Sequence, residues 1–469
     1  RKALVELFRV LDQRAEERDK YLSDDNPALA AFPYVNGGLF ADENIEIPPF
    51  TEELKNILLS KASEDFDWSA ISPTIFGALF ESTLNPETRR SGGMHYTSIE
   101  NIHKVIDPLF LDGLKAELEE IKEIAVEKTR VSRLKAYQSK LAGLTFLDPA
   151  CGSGNFLTES YISLRRLEND ALRCQTNQIT MGDYSNPIQV AIHQFYGIEI
   201  NDFAATVAKT ALWIAESQML KETEDIIAHQ IDFLPLKSYA NITEGNALRL
   251  NWEDVVSKEK LDYIMGNPPF VGARLMDASQ KSDVNLIFEG WKNAGNLDYV
   301  CCWYKKAADL MQGTEIRSAL VSTNSVSQGE SVANLWKPLF EAGVHIDYAY
   351  RTFRWDSEAK IKAHVHCVII GFSIAPNHAG KILYFGDRAQ IVQNINGYLL
   401  DADNVFVESR KKPISDVPDI GIGNMPLDGG NYLFTEEEKA LFVTIEPAAE
   451  KWFRPWIGSH EFINRYFRQ

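Results

Sequence analysis

Short apolar segments alternate with helical patterns through the middle of this chain, and this alternation restricts the fold more than any other feature. Five segments are typical of buried strands: LTFLDPA, YGIEI, LDYIMGNPP, SALVSTN and VHCVIIGF. Strands separated by helices usually form a parallel sheet. We therefore predict an α/β domain with a mostly parallel sheet, which binds its ligands at the carboxyl ends of the strands.

The regions on either side of this domain differ in pattern. Residues 1–88 are predicted to be mainly helical, with apolar residues at helical spacing near 1–20, 51–63 and 71–84. Residues 114–141 are charged and predict a long helix or a helical pair. From about Asp401 the sequence favours short strands and turns.

Composition indicates a globular protein in a reducing compartment. Of 469 residues, 45% are hydrophobic and 24% are charged. There is no signal-peptide pattern, and the longest nearly apolar run, Val365 to Ala375, is too short for a bilayer. Five cysteines without a CxxC pair argue against a disulfide framework or a zinc module. We expect a soluble, cytoplasmic protein with no membrane partner. Because Arg1 lies within a helical pattern, we also expect a fragment of a longer polypeptide.

The formal net charge of −18 argues at first against a nucleic-acid partner, because phosphate contacts come from lysine and arginine. Residues 1–88, however, carry 17 acidic and 8 basic side chains, which is half of the excess. An acidic protein can still bind DNA through a local basic groove.

A glycine-rich turn follows the first predicted strand. In TFLDPACGSGNFL, Asp148 ends the strand, and Gly152 and Gly154 form a turn before a helix. Such a turn lets a ligand approach the backbone. The dinucleotide pattern G-x-G-x-x-G fails because its third position is Leu157, so NAD is disfavoured.

Polar residues also end the next two predicted strands. Glu199 in FYGIEIN is spaced as the acid of a βαβ unit that accepts hydrogen bonds from a ribose. Asn246 in ITEGNAL carries an amide suited to an adenine edge. Each of these residues alone would more often be an ordinary polar residue at the end of a strand. Three successive strand ends, however, each carry a polar group suited to one part of an adenosine.

The fourth strand ends in Asn267, Pro268, Pro269 and Phe270. The exocyclic amine of adenine is a poor nucleophile unless two acceptors receive hydrogen bonds from its two N–H groups. The Asn267 side-chain oxygen and the Pro268 carbonyl can be these acceptors, held rigid by the prolines. Phe270 offers a face on which a base can stack. The structural alternative is a rigid strand-to-loop connection.

Together, these motifs resemble those of the amino-directed, S-adenosylmethionine-dependent DNA methyltransferases, specifically the γ-class adenine enzymes. The resemblance covers about Arg89 to Phe372 and implies a class I, Rossmann-like methyltransferase fold. GGMHYTS, residues 92–98, is similar to the N-terminal cofactor motif, in which Tyr96 and Thr97 would contact the methionine part of S-adenosylmethionine. The other residues that the resemblance assigns are Asp148, Ala150, Gly152, Gly154, Glu199 and Asn246 for the cofactor, and Asn267, Pro268, Pro269 and Phe270 for catalysis.

Further segments, SALVSTNSVSQGE, FRWDSEAKIKAHVHCVIIGF and RPWIGSHEFIN, resemble the MmeI-like, type IIL branch of restriction-modification proteins. That resemblance implies a helical spacer at 1–88, a methyltransferase domain at 89–400 and the beginning of a target recognition domain at 401–469. It also implies a nuclease domain in the same full-length polypeptide. No nuclease motif is convincing within these residues, so cleavage is not assigned to them.

Within this resemblance the partner is double-stranded DNA, and Phe353 or Trp355 would stack on a base extruded from the duplex. The alternative is a core Phe and Trp at alternate strand positions. Nearby Arg351 and Arg354 could contact phosphates. Asn324 is a candidate for the base pocket, and Asp298 for capping a helix or contacting the cofactor.

The predicted function is methylation of the exocyclic amine of adenine at a specific site in duplex DNA. No metal is expected, because attack on a sulfonium depends mainly on alignment. Three alternatives remain: methylation of a cytosine amine, methylation of a protein glutamine, and a non-catalytic module in which the cofactor controls DNA binding.

Overall fold

The computed structural model describes two compact units, Arg1–Glu408 and Ser409–Gln469. Tyr96, the side chain of Trp355 and most of the predicted helix at 71–84 lie outside the described residues. The described residues are 2–13, 17–32, 49–64, 71–74, 97–175, 187–227, 240–355, 365–377, 380–386, 388–410, 412, 414–417 and 429–468.

The first unit contains a nine-stranded sheet in the order β3-β2-β1-β4-β5-β7-β6-β8-β9. β1 to β5 pair in parallel. β7 is antiparallel to both β5 and β6. The strands are β1 Phe146–Asp148, β2 Phe195–Glu199, β3 Asn241–Glu244, β4 Tyr263–Gly266, β5 Arg317–Thr323, β6 His345–Trp355, β7 Val365–Ser373, β8 Lys381–Phe385 and β9 Arg388–Val392. The sheet confirms the predicted α/β class.

Helices precede and connect these strands. The predicted charged helical pair is present, and a π-helical turn, Asp107–Leu111, joins its first helix to the one before. None of the helices in the described ranges is long and apolar enough to cross a membrane. The main helices of this unit are α1 Lys2–Asp12, α2 Glu52–Asn56, α3 Ile99–Ile106, α4 Asp112–Lys122, α5 Glu127–Gly143, α6 Asn155–Arg173, α7 Asp202–Ile227, α8 Ala278–Ile287, α9 Cys301–Leu310 and α10 Lys337–Glu341.

Hydrophobic cores form on both faces of the sheet. On one face, Phe146 of β1 stacks on Phe195 of β2 with ring centroids 5.0 Å apart, against helices α3 to α7. On the other face, Leu147 and Ile264 belong to the core formed with α8 to α10. Because alternate residues of a strand point to opposite faces, burial of both faces explains the nearly continuous apolar runs.

The second unit corrects one expectation from the sequence. Short strands were predicted after Asp401, but residues 429–468 contain the helices α11 Glu436–Ile445 and α12 Ser459–Asn464, with one isolated bridge, Trp456 to Arg468. α11 begins with a capping box. The Thr435 hydroxyl accepts from the Glu438 N–H at 3.2 Å, and Glu438 accepts from the Thr435 N–H at 2.8 Å. The glycine and aromatic residues favoured strands and turns, whereas the capping box of Thr435 and Glu438 favours a helix.

Candidate active site

The carboxyl ends of β1 to β4 lie at one edge of the sheet, because these strands are parallel. The strand ends also contact one another. The Gly152 N–H of the turn after β1 donates to the Glu199 carboxylate of β2 at 2.8 Å. The Gly245 N–H after β3 donates to the Glu199 carbonyl, also at 2.8 Å. The glycine-rich turn and the three following strand ends therefore form one continuous edge.

Asp148 is a buried carboxyl group, 1% exposed. One oxygen accepts from the Ala150 N–H at 3.0 Å. The other oxygen is buried and has no hydrogen-bond partner among the described residues. Burial, with a smaller contribution from the Glu199 carboxylate, raises the pKa of Asp148 to about 8. A buried acceptor without a partner is costly, so a cationic or hydrogen-bonding ligand would stabilise it.

The two glycines of the turn have backbone conformations that side chains rarely adopt, with φ of +52° at Gly152 and +79° at Gly154. A Cβ at Gly154 would lie 2.9 Å from the Cβ of Ala208 in α7. Glycine therefore allows both the left-handed turn and its close packing on α7. Ala150, also assigned to the cofactor, packs against the core on the face of α8 to α10.

Among the described residues, the hydrogen bonds to the Glu199 carboxylate come from backbone N–H groups. Its second carboxylate oxygen accepts from the Asn201 N–H at 2.9 Å. Burial raises the pKa of Glu199, and the hydrogen bonds from the amides oppose that shift. The side chain is 7% exposed, so its carboxylate has a fixed orientation before any ligand binds.

The side chain of Asn246 shapes its own loop. Its oxygen accepts from the Leu248 N–H at 2.9 Å, and its amide donates to Asp283 of α8 at 3.0 Å. The buried Asp283 carboxylate also accepts from the Tyr299 hydroxyl at 2.8 Å and from Arg249 Nε at 2.7 Å. Asn246 is thus a rigid loop anchor, and contact with adenine stays a prediction.

Asn267 follows β4 and has one half of its amide fixed. Its Nδ2 donates to the Thr97 hydroxyl at 3.2 Å, while Oδ1 is buried and has no partner among the described residues. A Cβ added to the preceding residue, Gly266, would lie 2.4 Å from Asp148 Oδ1. The Asn-Pro-Pro corner therefore borders the Asp148 carboxyl group, so the two predicted halves of the site meet.

The corner continues through the partly buried Phe270, which packs against both cores, into Val271. The Val271 N–H donates to Asp298 Oδ1 at 3.0 Å, and the Val271 carbonyl accepts from the Tyr299 N–H at 3.0 Å. Asp298 Oδ2 accepts from the Thr323 hydroxyl at 3.3 Å, at the end of β5. Burial raises the pKa of Asp298. Asp298 also accepts from the Val300 N–H at 3.3 Å, just before α9.

Phe353 lies at the end of β6, paired with Cys367 of β7, and is partly buried. It packs at the border of the core on the face of α3 to α7, and Lys104 Nζ lies 5.3 Å from its ring centroid. The ring is neither fully enclosed nor fully exposed, so base stacking stays a prediction. Asn324 begins the turn after β5, where its carbonyl accepts from the Ser327 hydroxyl at 3.0 Å.

The structure brings Thr97, Asp148, Glu199 and Asn267 into connected contacts. Sequence reasoning missed Asp283 and Tyr299, which join the loop of Asn246 to the corner at Val271. Asp283 lies on a helix between Ser282 and Val284, and no local pattern marks it. Within the described ranges, no group of three His, Cys, Asp or Glu side chains is arranged to hold a metal.

A sheet ordered 3-2-1-4-5-7-6 with an antiparallel seventh strand, and polar residues at its carboxyl edge, defines the class I methyltransferase fold. The family model described as the MmeI DNA-methyltransferase domain matches residues 122–385. The one described as the MmeI target recognition domain matches residues 401–469. The chain belongs to the MmeI family.

Three known proteins place this membership in context. A protein of Bacillus subtilis (strain 168) named DNA methyltransferase A is 40% identical over 467 residues, which are 99% of this chain and 51% of that protein. The solved structure of the type IIL restriction-modification enzyme MmeI in complex with DNA is 44% identical, with a TM-score of 0.87, over 100% of this chain and 62% of that one. A putative type II restriction enzyme and methyltransferase of Methanocaldococcus jannaschii is 26% identical over 55% of this chain and 24% of its own length. This chain thus spans about half to three fifths of the first two relatives.

Proposed function

We propose that this chain is the methyltransferase part of a restriction-modification protein, and that it methylates the exocyclic amine of an adenine extruded from duplex DNA. The observation that carries the proposal is that two buried acceptors lack a hydrogen-bond partner among the described residues. They are Oδ1 of Asn267 and Oδ2 of Asp148, whose carboxyl group borders Gly266, the residue before Asn267. The first is an acceptor aimed at a substrate, and the second is an acceptor aimed at a cofactor.

The residues fit S-adenosylmethionine at the edge of β1 to β3. Asp148 has one oxygen without a partner among the described residues, which suits the cationic methionine part, and Gly154 allows the turn to pack closely on α7. Glu199 would accept from the ribose hydroxyls, and the loop of Asn246 would border the adenine. Thr97, 4% exposed, would contact the methionine part together with Tyr96. When bound, the cofactor supplies a methyl group on a sulfonium.

Asn267 and Pro268 orient the attacking amine. Because the Asn267 Nδ2 donates to Thr97, Oδ1 is oriented to accept a hydrogen bond from one N–H of the adenine amine. The Pro268 carbonyl would accept a hydrogen bond from the other N–H, which would direct the nitrogen lone pair toward the methyl group. Phe270 supplies a stacking face, and Pro269 keeps the corner rigid. Preorganised acceptors of this kind lower the barrier because they need no reorganisation during the reaction.

The partner and context follow from the relatives. The match to a target recognition domain at 401–469 supports binding of duplex DNA at a specific sequence. The relatives are named as DNA methyltransferases or restriction-modification enzymes. Because this chain spans only part of these relatives, the proposal includes a nuclease domain elsewhere in the full-length polypeptide. The proposed location is the cytoplasm, where the DNA substrate would be.

The test is methyl transfer from radiolabelled S-adenosylmethionine to unmodified duplex DNA of mixed sequence, followed by mass spectrometry of the nucleosides. We expect N6-methyladenine from the wild type and no product from Asn267→Ala, with cofactor binding retained. The matched control is Asn285→Ala, on the exposed face of α8. Detection of methylated cytosine would mean that cytosine is the substrate base and adenine is not. An active Asn267→Ala variant would overturn the role assigned to Asn267.

A further inference from the structure

A cavity of about 270 Å³ lies between the residues that follow β5 and those near the end of β6. Gln328 and Gly329, after the turn that ends β5, form one wall, and Arg351 and Thr352 of β6 form another. Residues 398–400 complete the lining. β6 runs in the same direction as β5, because both are antiparallel to the strand between them. The cavity therefore lies on the carboxyl edge of the sheet, which also carries the predicted catalytic corner.

A β-bulge places Arg351 at this cavity. The pairing of β6 with β7 shifts between Tyr350, opposite Ile369, and Phe353, opposite Cys367. Arg351 and Thr352 thus share one position of the partner strand. A bulge redirects side chains locally and is common beside active sites. Here it turns both of its residues into the cavity wall.

The guanidinium of Arg351 is half-buried and held against an aromatic ring. Its Cζ lies 5.2 Å from the ring centroid of Phe385, at the end of β8. Over the part of the chain that the structure describes, it forms no ion pair. Stacking on a ring fixes the guanidinium plane and leaves its N–H donors at the edge. A positioned, uncompensated cation in a cavity is suited to an anion.

The other walls supply neutral polar groups. The Gln328 amide and the Thr352 hydroxyl are exposed, and Gly329 has φ +57° with no atom within 4 Å of an added Cβ. The opposite wall is preformed, because Asn396 accepts from the N–H groups of Tyr398 and Leu400 at 3.0 and 3.1 Å. Polar donors around one arginine match the phosphate oxygens of a nucleic acid.

We propose that this cavity binds a backbone phosphate of the duplex DNA, with Arg351 as its cationic ligand. The inference rests on the proposed function, because the phosphate belongs to the DNA that the methyltransferase site acts on. It supplies one cationic contact for a polyanion on a chain whose net charge is −18. A local cation of this kind can act on an otherwise acidic protein.

The experiment measures binding of full-length protein to duplex DNA of mixed sequence across a series of salt concentrations. We expect Arg351→Gln to weaken binding about tenfold near 0.1 M salt. It should also reduce the slope of log affinity against log salt by about 1. Arg351→Lys, which keeps the charge, should retain most of the slope. Arg133→Gln, an equal charge change on the exposed face of α5, is the control and should match the wild type.

Methyl transfer by the same proteins separates the two proposals. If the wild type neither binds nor methylates DNA, the proposed function fails. If it does both and Arg351→Gln keeps the wild-type salt slope, the phosphate site alone is wrong. Equal losses in Arg351→Gln and Arg133→Gln would also overturn it, because net charge would then explain the effect. Melting temperatures of all variants should agree, and a destabilised Arg351→Gln is replaced by Arg351→Met against Arg133→Met, which remove the same charge.

Discussion

The Asp298 carboxylate accepts a hydrogen bond from the Val271 N–H at 3.0 Å, and so fixes the backbone that leaves the Asn-Pro-Pro-Phe corner. Its other oxygen accepts from the Thr323 hydroxyl at the end of β5. One side chain therefore ties the corner after β4 to the neighbouring strand. Asp298 is a positioning residue, because its hydrogen bonds reach backbone and hydroxyl groups of the protein.

Asp298→Ala should lower kcat for methyl transfer by about 10- to 100-fold, because small displacements of reacting groups have effects of this size. The Kd of S-adenosylmethionine should change less, since the residues assigned to the cofactor lie on other strands. Calorimetry and single-turnover kinetics measure the two quantities. The control is Asp309→Ala on the exposed surface of α9. An equal loss of cofactor binding and turnover would point to a general structural role.

Gly266→Ala should impair cofactor binding. The new methyl group would lie 2.4 Å from Asp148 Oδ1, within a buried region that cannot easily expand. We expect at least a tenfold rise in the Kd of S-adenosylmethionine, measured by calorimetry. Gly272→Ala is the matched control, because a methyl group there meets no atom within 4 Å. Wild-type affinity in Gly266→Ala would mean that Asp148 does not contribute to binding.

Cofactor affinity should depend on pH through Asp148. Burial raises the pKa of this carboxyl group to about 8, so it is mostly protonated at pH 6 in the protein without ligand. A cationic ligand favours the carboxylate, so binding releases a proton. Affinity should therefore rise between pH 6 and 8, by up to about tenfold per pH unit. Calorimetry in buffers of different ionisation enthalpy measures the released proton.

Asp148→Asn should remove this pH dependence and weaken binding. The effect of Asp148 on the free energy of unfolding has the opposite pH dependence. Because the pKa of the folded state lies above the unfolded value of 3.8, the contribution of this group to stability decreases as pH rises from about 4 to about 8. An unchanged pH profile in Asp148→Asn would show that another group releases the proton.

The parts of the site that could be predicted are those encoded by contiguous residues at strand ends. Asp148, Glu199 and Asn267 each follow an apolar run, and a parallel sheet brings such ends to one edge. The predicted segments overlap β1, β2, β4, β5 and β7, and their ends differ from the strand ends by at most three residues. Burial on both faces makes these runs unambiguous, so the class of fold followed from the sequence.

The unpredicted parts depend on contacts between distant residues. Asn267 is oriented by Thr97, 170 residues earlier in the chain. Asp283 accepts hydrogen bonds from three side chains, Asn246, Arg249 and Tyr299, that no local pattern connects to it. Likewise, the additional strands β8 and β9 are short and half-exposed, so their apolar patterns are weak. Tertiary packing alone decides these features.

A buried ion pair within α6 should contribute strongly to the free energy of unfolding. Arg165 and Glu168 contact each other with fully buried side chains. Arg165 also donates to the Thr223 hydroxyl of α7 at 2.6 Å, and Glu168 accepts from the Gln189 N–H at 2.6 Å. Removing one partner leaves a buried charge without compensation. Glu168→Ala should therefore lower the free energy of unfolding by about 3–5 kcal/mol.

The same helix contains the control for this prediction. Asp170 pairs with Arg173 at 2.6 Å, but both side chains are more than 40% exposed. Solvent screens such pairs, so Asp170→Ala should cost less than about 1 kcal/mol. Urea denaturation of both variants gives the comparison. The double variant Arg165→Met/Glu168→Leu should recover part of the loss, because apolar side chains leave no buried charge. Equal stability of the two alanine variants would mean that water reaches the Arg165–Glu168 pair.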